Sequence, residues 1–235
     1  MKVGLFADPH YCSREISCTN RRPSLSMGKL GIALREFTRQ KTELIICLGD
    51  LVDSDENKPD IDNLSEISGL IHRCGVECYC CMGNHDAFLF DKKSFEDISG
   101  IKAAPLVIKS EGKALILLDA NYLSSGAAYN AANIDWTDSN IPDEQLSWLK
   151  KTLICCTEPE IYVFLHQNLD PAVEKNHIIK NATEVRNIFA RDGRVKAVYQ
   201  GHYHPGAFNI YDNIRYITLK AMCEGYDNHY MVINI

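Results

Sequence analysis

The sequence predicts an α/β fold in which two packed, mixed β-sheets are flanked by helices. Short apolar runs rich in β-branched residues recur along the chain, and stretches with helical spacing of apolar residues lie between them. The character changes over residues 207–235, where short strands follow one another without helices. Strands that alternate with helices form parallel sheets, whereas closely spaced strands pair antiparallel, so the sheets should contain both arrangements.

The individual elements follow from these patterns. Six strands are predicted in the body of the chain, at residues 3–7, 44–48, 76–82, 114–118, 161–165 and 195–199. Apolar residues at helical spacing predict helices around residues 30–37, 64–71, 146–153 and 185–189. Three more strands, at 207–211, 215–219 and 230–235, predict an antiparallel ending.

Length and charge restrict the kind of protein. The chain has 235 residues, and we expect a single domain over 1–235 because no Pro/Gly/Ser-rich linker divides it. No apolar run approaches the ~18–20 residues that span a bilayer, and Met1-Lys2 leads into a strand without the layout of a signal peptide, so we expect no membrane partner and a cytoplasmic location. Twenty-five Lys and Arg against 31 Asp and Glu give a net charge of −6, which disfavours a nucleic acid polymer as the partner.

The ten cysteines include one dense cluster. Cys74, Cys78, Cys80 and Cys81 lie within eight positions, which leaves two interpretations, a zinc site or buried thiols. On a strand, Cys78 and Cys80 share one face and Cys81 lies on the other, and the usual two-residue spacers are missing, so we favour reduced, buried thiols.

Polar clusters follow five of the predicted strands. They are Asp8-Pro9-His10, Gly49-Asp50-Leu51-Val52-Asp53, Gly83-Asn84-His85-Asp86, His166 and Gly201-His202-Tyr203-His204. Because the carboxyl ends of strands converge on one crevice in α/β sheets, we expect these side chains to meet. So many carboxylates and imidazoles cannot be buried together without a partner, and divalent metal ions are the simplest one.

The spacing within these clusters fits a metal site. Asp8 and His10 alternate, so they project to the same side of the strand end, and His202 and His204 do likewise. Gly49 permits the sharp turn that presents Asp50, whose two carboxylate oxygens can bridge two ions. Mixed carboxylate and imidazole ligands favour Mn, Fe, Zn or Co over Mg or Ca.

The order of these motifs resembles that of the calcineurin-like binuclear metallophosphoesterases. The resemblance implies a four-layer αββα sandwich with two divalent transition-metal ions, manganese first among them. It places one ion on Asp8, His10, Asp50 and His204 and the other on Asp50, Asn84, His166 and His202. It also implies that Asn84 and His85 contact the substrate and that Asp53 holds His85 by a hydrogen bond.

The reaction expected of such a site is in-line attack at phosphorus by a hydroxide that bridges the two ions. His85 would donate a proton to the leaving oxygen or stabilise its charge, with Asp53 orienting it. Asp86 is left out of the ligand set, because it can cap a helix that begins near Lys92 or bond to the backbone. His72, His177 and His229 are interpreted as structural or solvated.

Two features bear on the substrate. Arg14, Arg21 and Arg22 follow the first cluster and form either a solvated loop or a binding site for a second phosphate. Segment 121–142 contains Trp136 and is long enough to suggest a function.

Two branches of the family resemble the chain more closely. Arg21-Arg22 ahead of Ser24-Leu25, Gly206 and the segments 144–149 and 216–224 are similar to the manganese-dependent ADP-ribose/CDP-alcohol diphosphatases. Asp86 directly after His85 is similar to the class III cyclic-nucleotide phosphodiesterases.

These features together predict a dimetal-dependent hydrolase that cleaves a phosphodiester or diphosphate bond of a small nucleotide-type substrate. A phosphomonoesterase is the nearest alternative. A non-catalytic metal-binding scaffold of the same fold is the alternative from another class, although such a protein is expected to lack a ligand or the His85 position. The sequence leaves the oligomeric state open.

Overall fold

The computed structural model describes residues 1–18, 20–110 and 112–235. Within these ranges the strands are β1 (Lys2–Phe6), β2 (Leu44–Cys47), β3 (Cys78–Cys80), β4 (Lys102–Ala103), β5 (Leu106–Ser110), β6 (Lys113–Leu117), β7 (Glu160–Phe164), β8 (Val195–Gln200), β9 (Ala207–Tyr211), β10 (Ile214–Thr218) and β11 (Met231–Asn234). The α-helices are α1 (Ser26–Gln40), α2 (Asp60–His72), α3 (Asn84–Leu89), α4 (Lys92–Ser99), α5 (Asp143–Cys155) and α6 (Ala182–Asp192).

The strands form two mixed sheets. The first has the order β11-β1-β2-β3-β4, in which only β11 runs antiparallel to its neighbour. The second has the order β5-β6-β7-β8-β10-β9, with parallel strands in the centre and antiparallel strands β5 and β9 at the edges. The α/β class with two packed mixed sheets is therefore confirmed.

Strand periodicity divides the core into three layers. In β1, Leu5 faces the second sheet while Phe6 packs against the helices α1 and α2, as expected for side chains that alternate across a strand. On the far side, α5 and α6 cover the second sheet through residues such as Leu149 and Phe189. The result is a helix–sheet–sheet–helix sandwich. The carboxyl ends of β1, β2, β3, β7 and β8 all open at one end of it.

The predicted elements agree with the structure except for the strands β3, β4, β5 and β10 and the short helix α3, which was not predicted. Strand β3 is confined to Cys78–Cys80, shorter than residues 76–82, and the sequence analysis missed β4 and β5. Strand β4 has only two residues, and β5 is a half-exposed edge strand without a clear alternation of apolar and polar residues. As predicted, β9 pairs antiparallel with β10, and β11 pairs antiparallel with β1. On its other side, however, β10 lies parallel to β8.

The ten cysteines are free thiols. Cys78 and Cys80 lie in the core layer beneath α1 and α2, whereas Cys81 faces the second sheet. Among the described residues, the side-chain groups that could hold a metal ion include none of these three or Cys74, which favours the buried-thiol interpretation. No helix in the described ranges combines the length and apolar character needed to cross a membrane.

Candidate active site

The loops after β1 and β2 are joined by backbone hydrogen bonds that fix the first two clusters. The amide of Asp8 donates to the carbonyl of Gly49 at 3.0 Å, and the amide of His10 donates to that of Asp50 at 2.8 Å. Asp8, His10, Asp50 and His202 all have left-handed backbone conformations, with φ of 53°, 47°, 50° and 64°. Such values are uncommon for residues other than glycine, so these side chains are aimed by a backbone that the surrounding fold enforces.

Two glycines allow the strand ends to approach this closely. A Cβ atom on Gly83 would lie 2.1 Å from Asp50 Oδ1, and one on Gly49 would lie 2.5 Å from His166 Nδ1. Gly49 also has a φ of +94°, which confirms that a sharp turn precedes Asp50. Any larger residue at either position would displace Asp50 or His166.

Asp50 lies between two groups of potential metal ligands. Its Oδ2 atom is 3.3 Å from His10 Nε2 and also 3.3 Å from His166 Nε2. We call the first group the Asp8 cluster and the second the Asn84 cluster, and both include Asp50. The Asp8 cluster consists of Asp8, His10, Asp50 and His204. The Asn84 cluster consists of Asp50, Asn84, His166 and His202.

Short distances hold each cluster together. In the Asp8 cluster, His10 Nε2 and His204 Nε2 are 3.3 Å apart, and Asp8 Oδ1 lies 3.7 Å from His204 Nε2. In the Asn84 cluster, Asn84 Oδ1 lies 3.2 Å from His166 Nε2. All seven residues predicted as ligands therefore come together, although they originate from five strand ends in two sheets.

The imidazole tautomers fit metal ions. His166 Nδ1 donates to the carbonyl of Leu48 at 2.7 Å, so Nε2 is the nitrogen that faces Asn84 Oδ1 and Asp50. His204 Nδ1 likewise donates to the Glu224 carboxylate at 2.7 Å. His202 Nε2 is buried and has no hydrogen-bond partner among the described residues. Lone pairs that face each other in a buried site call for a cation between them, and outer hydrogen bonds of this kind are typical of metal-binding histidines.

The electrostatics point in the same direction. Burial alone would raise the pKa of the Asp50 carboxyl, but the imidazoles around it, His166 first, hold that pKa well below its usual range. Burial lowers the pKa of both His10 and His202, which keeps these rings neutral. Burial also lowers the pKa of His166, but Asp50 overcomes this effect and raises the pKa to about 10. An ion that binds at His166 would therefore displace a proton.

His85 is oriented by a carboxylate beside the two clusters. Its Nδ1 donates to Asp53 Oδ1 at 2.9 Å, and its ring packs edge-on against His10 with centroids 4.5 Å apart. Burial would lower the pKa of His85, but Asp50 and the hydrogen bond to Asp53 leave it raised. A partly exposed imidazole, oriented by Asp53, is thus held at the edge of the cavity.

The Asp86 carboxylate binds backbone amides. It is fully buried, and its carboxylate accepts hydrogen bonds from the amides of Leu51 at 2.9 Å, Val52 at 3.2 Å and Gly83 at 3.0 Å. It thereby ties the loop that carries Asp50 to the start of α3. Of the two roles considered for Asp86, bonding to the backbone is correct, and Asp91 caps α4 instead.

The three arginines have different surroundings. Arg21 lines the cavity in front of the clusters. Arg14 is paired with Asp53 at 3.3 Å and donates to the carbonyl of Ser54 at 2.8 Å. Arg22 lies over the ring of Tyr226, 5.3 Å from its centroid. Of the three predicted arginines, Arg21 is the one that lines this cavity, and the binding of substrate by any of them stays a prediction.

Several residues near the site were not predicted from sequence. The cavity has a volume of about 360 Å³ and is lined by Cys18, Arg21, Asp50, Asn84, His85, Trp136, His177, His202 and His204. His177 was interpreted as structural or solvated, yet it belongs to this lining. Glu224, which binds His204, follows β10 at a turn, and no periodicity or spacing in the sequence connects the two.

Known proteins resemble the chain in sequence and in fold. A family model described as calcineurin-like phosphoesterase matches residues 1–206. A protein from Fibrobacter succinogenes (strain ATCC 19169 / S85), named a probable cyclic nucleotide phosphodiesterase, is 23% identical over 191 residues. The alignment covers 77% of this chain and 66% of that relative, so the chain spans slightly less than two thirds of the relative's length.

Solved structures share the fold. A dimetal phosphatase from Danio rerio superimposes with a TM-score of 0.81 at 18% identity, over 98% of this chain and 91% of that one. A phosphopantetheinyl hydrolase from Mycobacterium tuberculosis gives a TM-score of 0.54 at 13% identity, over 94% and 89% of the two chains. The family match over residues 1–206 shows that the chain belongs to the calcineurin-like phosphoesterase family, and membership of this family implies a divalent dimetal centre.

Proposed function

We propose that the enzyme cleaves a phosphodiester or diphosphate bond of a small nucleotide-type substrate. The observation that carries this proposal is the position of Asp50, whose Oδ2 lies 3.3 Å from a histidine of each cluster. One carboxylate between two sets of lone-pair donors is the arrangement that two bridged cations require.

The Asp8 cluster would hold one ion and the Asn84 cluster the other. When bound, two such ions would lower the pKa of a water molecule toward neutrality and would offset the negative charge of the phosphoryl oxygens. The donors are carboxylate, imidazole and amide oxygen, which suit manganese, with iron, zinc or cobalt as alternatives.

Residues in and around the clusters would bind the substrate and protonate the leaving group. The side chain of Asn84, 5% exposed at the start of α3, lies where it can bind a phosphoryl oxygen. His85 would protonate the leaving oxygen from Nε2, while the hydrogen bond from Nδ1 to Asp53 keeps the ring oriented and charged. Arg21 would bind a second anionic group of the substrate.

Three observations support the substrate class. A cavity of about 360 Å³ lies at the lower end of the ~300–1,000 Å³ range of small-molecule sites, which favours a small ligand over a polymer. The net charge of −6 also disfavours a polyanion. The relative from Fibrobacter succinogenes is named for cyclic nucleotide chemistry.

The organisation of the chain supports one domain over 1–235. Strand β11 at the end of the chain returns to pair with β1 in the first sheet, and β10 pairs with β8 in the second. The ten free thiols, several of them buried beside one another, support a reducing cytoplasmic compartment.

A substrate panel tests the proposed reaction. With Mn²⁺ present, we expect hydrolysis of at least one of ADP-ribose, CDP-choline and cyclic AMP, and slower hydrolysis of p-nitrophenyl phosphate. Hydrolysis of the monoester alone would refute the preference for diesters and diphosphates and would identify the enzyme as a phosphomonoesterase.

A further inference from the structure

Trp136 stands at the rim of the catalytic cavity. Its side chain is 40% exposed, although a residue this large and apolar is usually covered. The indole lies 5.6 Å from the His202 ring and 5.3 Å from the His177 ring, measured between centroids. An exposed indole that borders a proposed metal ligand is placed to contact whatever binds there.

The loop that carries Trp136 is held in place. The carbonyl of Trp136 accepts a hydrogen bond from Ser139 Oγ at 3.0 Å, and the Tyr129 hydroxyl donates to the carbonyl of Asp135 at 2.8 Å. The carbonyl of Ser139 accepts from the amide of Lys180 at 2.8 Å, which ties the loop to the start of α6. The indole is therefore presented before a ligand arrives, which reduces the entropy lost on binding.

His177 extends the aromatic surface from a separate segment. Its ring lies 5.1 Å from the rings of both His202 and Tyr203. Together Trp136 and His177 form an aromatic wall on the side of the cavity that belongs to the Asn84 cluster.

The opposite side of the cavity, near the Asp8 cluster, carries polar and charged side chains instead of an aromatic wall. His85 packs against His10, and the backbone of Arg21 pairs with that of Glu224, the hydrogen-bond partner of His204, so His85 and Arg21 lie with the Asp8 cluster. The cavity therefore has Arg21 and His85 on one side of Asp50 and the aromatic wall on the other.

The aromatic wall offers a ligand the faces of flat rings. Asp135 and Asp138 flank Trp136 in the sequence, a Glu174 oxygen is 3.9 Å from His177 Nδ1, and Lys180 is bonded to the same loop, so side chains of both signs surround the wall. A neutral planar ring can stack on the indole without a charged partner. Aromatic stacking of this kind tolerates every base, because each has a π-face.

We propose that Trp136 and His177 form a subsite for the nucleobase of the substrate, which stacks on the indole while its phosphate lies at Asp50. This inference rests on the proposed function and narrows it. The substrate is a nucleotide whose base-bearing part lies on the side of the Asn84 cluster, and whose leaving group lies toward His85 and Arg21.

Two diesters with the same leaving group test the subsite. One is the p-nitrophenyl ester of thymidine 5′-monophosphate, and the other, methyl p-nitrophenyl phosphate, lacks the base. Trp136→Ala should raise KM for the nucleotide by about 5- to 150-fold, the range measured for base stacking, and should change KM for the methyl ester by less than about twofold. Trp136→Phe should restore most of the loss. Phe208→Ala, which removes another exposed aromatic on the edge strand β9, should leave both substrates unchanged.

An equal effect of Trp136→Ala on both diesters, or no effect on either, would refute the subsite and leave the proposed hydrolysis intact.

Binding provides a readout that needs no turnover. The chain has two tryptophans, so in a Trp148→Phe background Trp136 is the only indole reporter. AMP should quench its fluorescence saturably, and ribose 5-phosphate should not. Quenching by AMP in a protein that hydrolyses neither diester would support the subsite while contradicting the proposed reaction. Equal quenching by the two ligands would overturn the subsite.

Discussion

Glu224 is expected to control ion binding at the Asp8 cluster without contacting the ion itself. Its Oε1 accepts a hydrogen bond from His204 Nδ1 at 2.7 Å, which fixes both the tautomer and the direction of the ring. The negative charge of Glu224 also makes the Nε2 lone pair of His204 a stronger donor. In the Asn84 cluster, the corresponding position beyond His166 is occupied by the neutral carbonyl of Leu48, so Glu224 has no role there.

The size of the effect follows from what each replacement removes. Loss of such an outer partner typically weakens metal binding by about 10- to 100-fold, or about 1.4–2.7 kcal/mol. Glu224→Ala removes both the acceptor and the charge, so we expect a loss toward the upper end. Glu224→Gln keeps an acceptor for His204 Nδ1 and removes only the charge, so we expect a loss toward the lower end.

Competition with a chromophoric chelator measures this directly. Wild type, Glu224→Gln and Glu224→Ala are titrated with Mn²⁺, and one of the two binding equivalents should weaken in the stated order. Glu184→Ala is the matched control, because the Glu184 carboxylate is exposed on α6 and pairs with Lys150 at 3.1 Å. If Glu224→Ala binds both equivalents as tightly as wild type, the role assigned to Glu224 is wrong.

Four further predictions concern the same site. His85→Ala should lower kcat by about 10²- to 10⁴-fold with both metal equivalents retained, and unchanged turnover would exclude His85 as the acid. Asp53→Asn should shift the alkaline limb of the pH–rate profile to lower pH, because Asp53 raises the pKa of His85 and the protonated ring is the active form; an unmoved limb would contradict this. Gly83→Ala should abolish binding of both ions, as measured by metal content, since its Cβ would lie 2.1 Å from Asp50 Oδ1. In metal-free protein, His202→Gly should be more stable to urea than His202→Ala by about 1 kcal/mol, because φ is 64° there, and equal stability would argue against strain.

Most of the site could be predicted because its ligands follow strands directly. A residue that directly follows a buried parallel strand lies at the carboxyl edge of the sheet. Asp8, Asp50 and His166 were therefore located by the strands before them. The pairing of Asp53 with His85, which the family resemblance implied, is present as a hydrogen bond of 2.9 Å.

The remainder depends on tertiary contacts that leave no periodic signal. Glu224 reaches His204 across a turn, and His177 reaches the cavity from a short 3₁₀ segment, Lys175–His177. Arg14 and Arg22 were considered together with Arg21 because all three lie in one polar stretch. In the folded chain, Arg14 pairs with Asp53 and Arg22 lies over the ring of Tyr226. The spacing of the sequence does not indicate either contact.

Backbone strain links the fold to the chemistry. Among the described residues, eight other than glycine have a positive φ, and four of these are Asp8, His10, Asp50 and His202. Each such conformation costs about 1–2 kcal/mol for a residue with a Cβ atom, so chance does not explain why half of them are proposed ligands. The bonds that enforce the strain run between loops, from the amides of Asp8 and His10 to the loop after β2, and from three backbone amides to the carboxylate of Asp86. The donors are consequently directed inward by the protein itself, and a cation would bind to a site whose geometry the fold has already imposed.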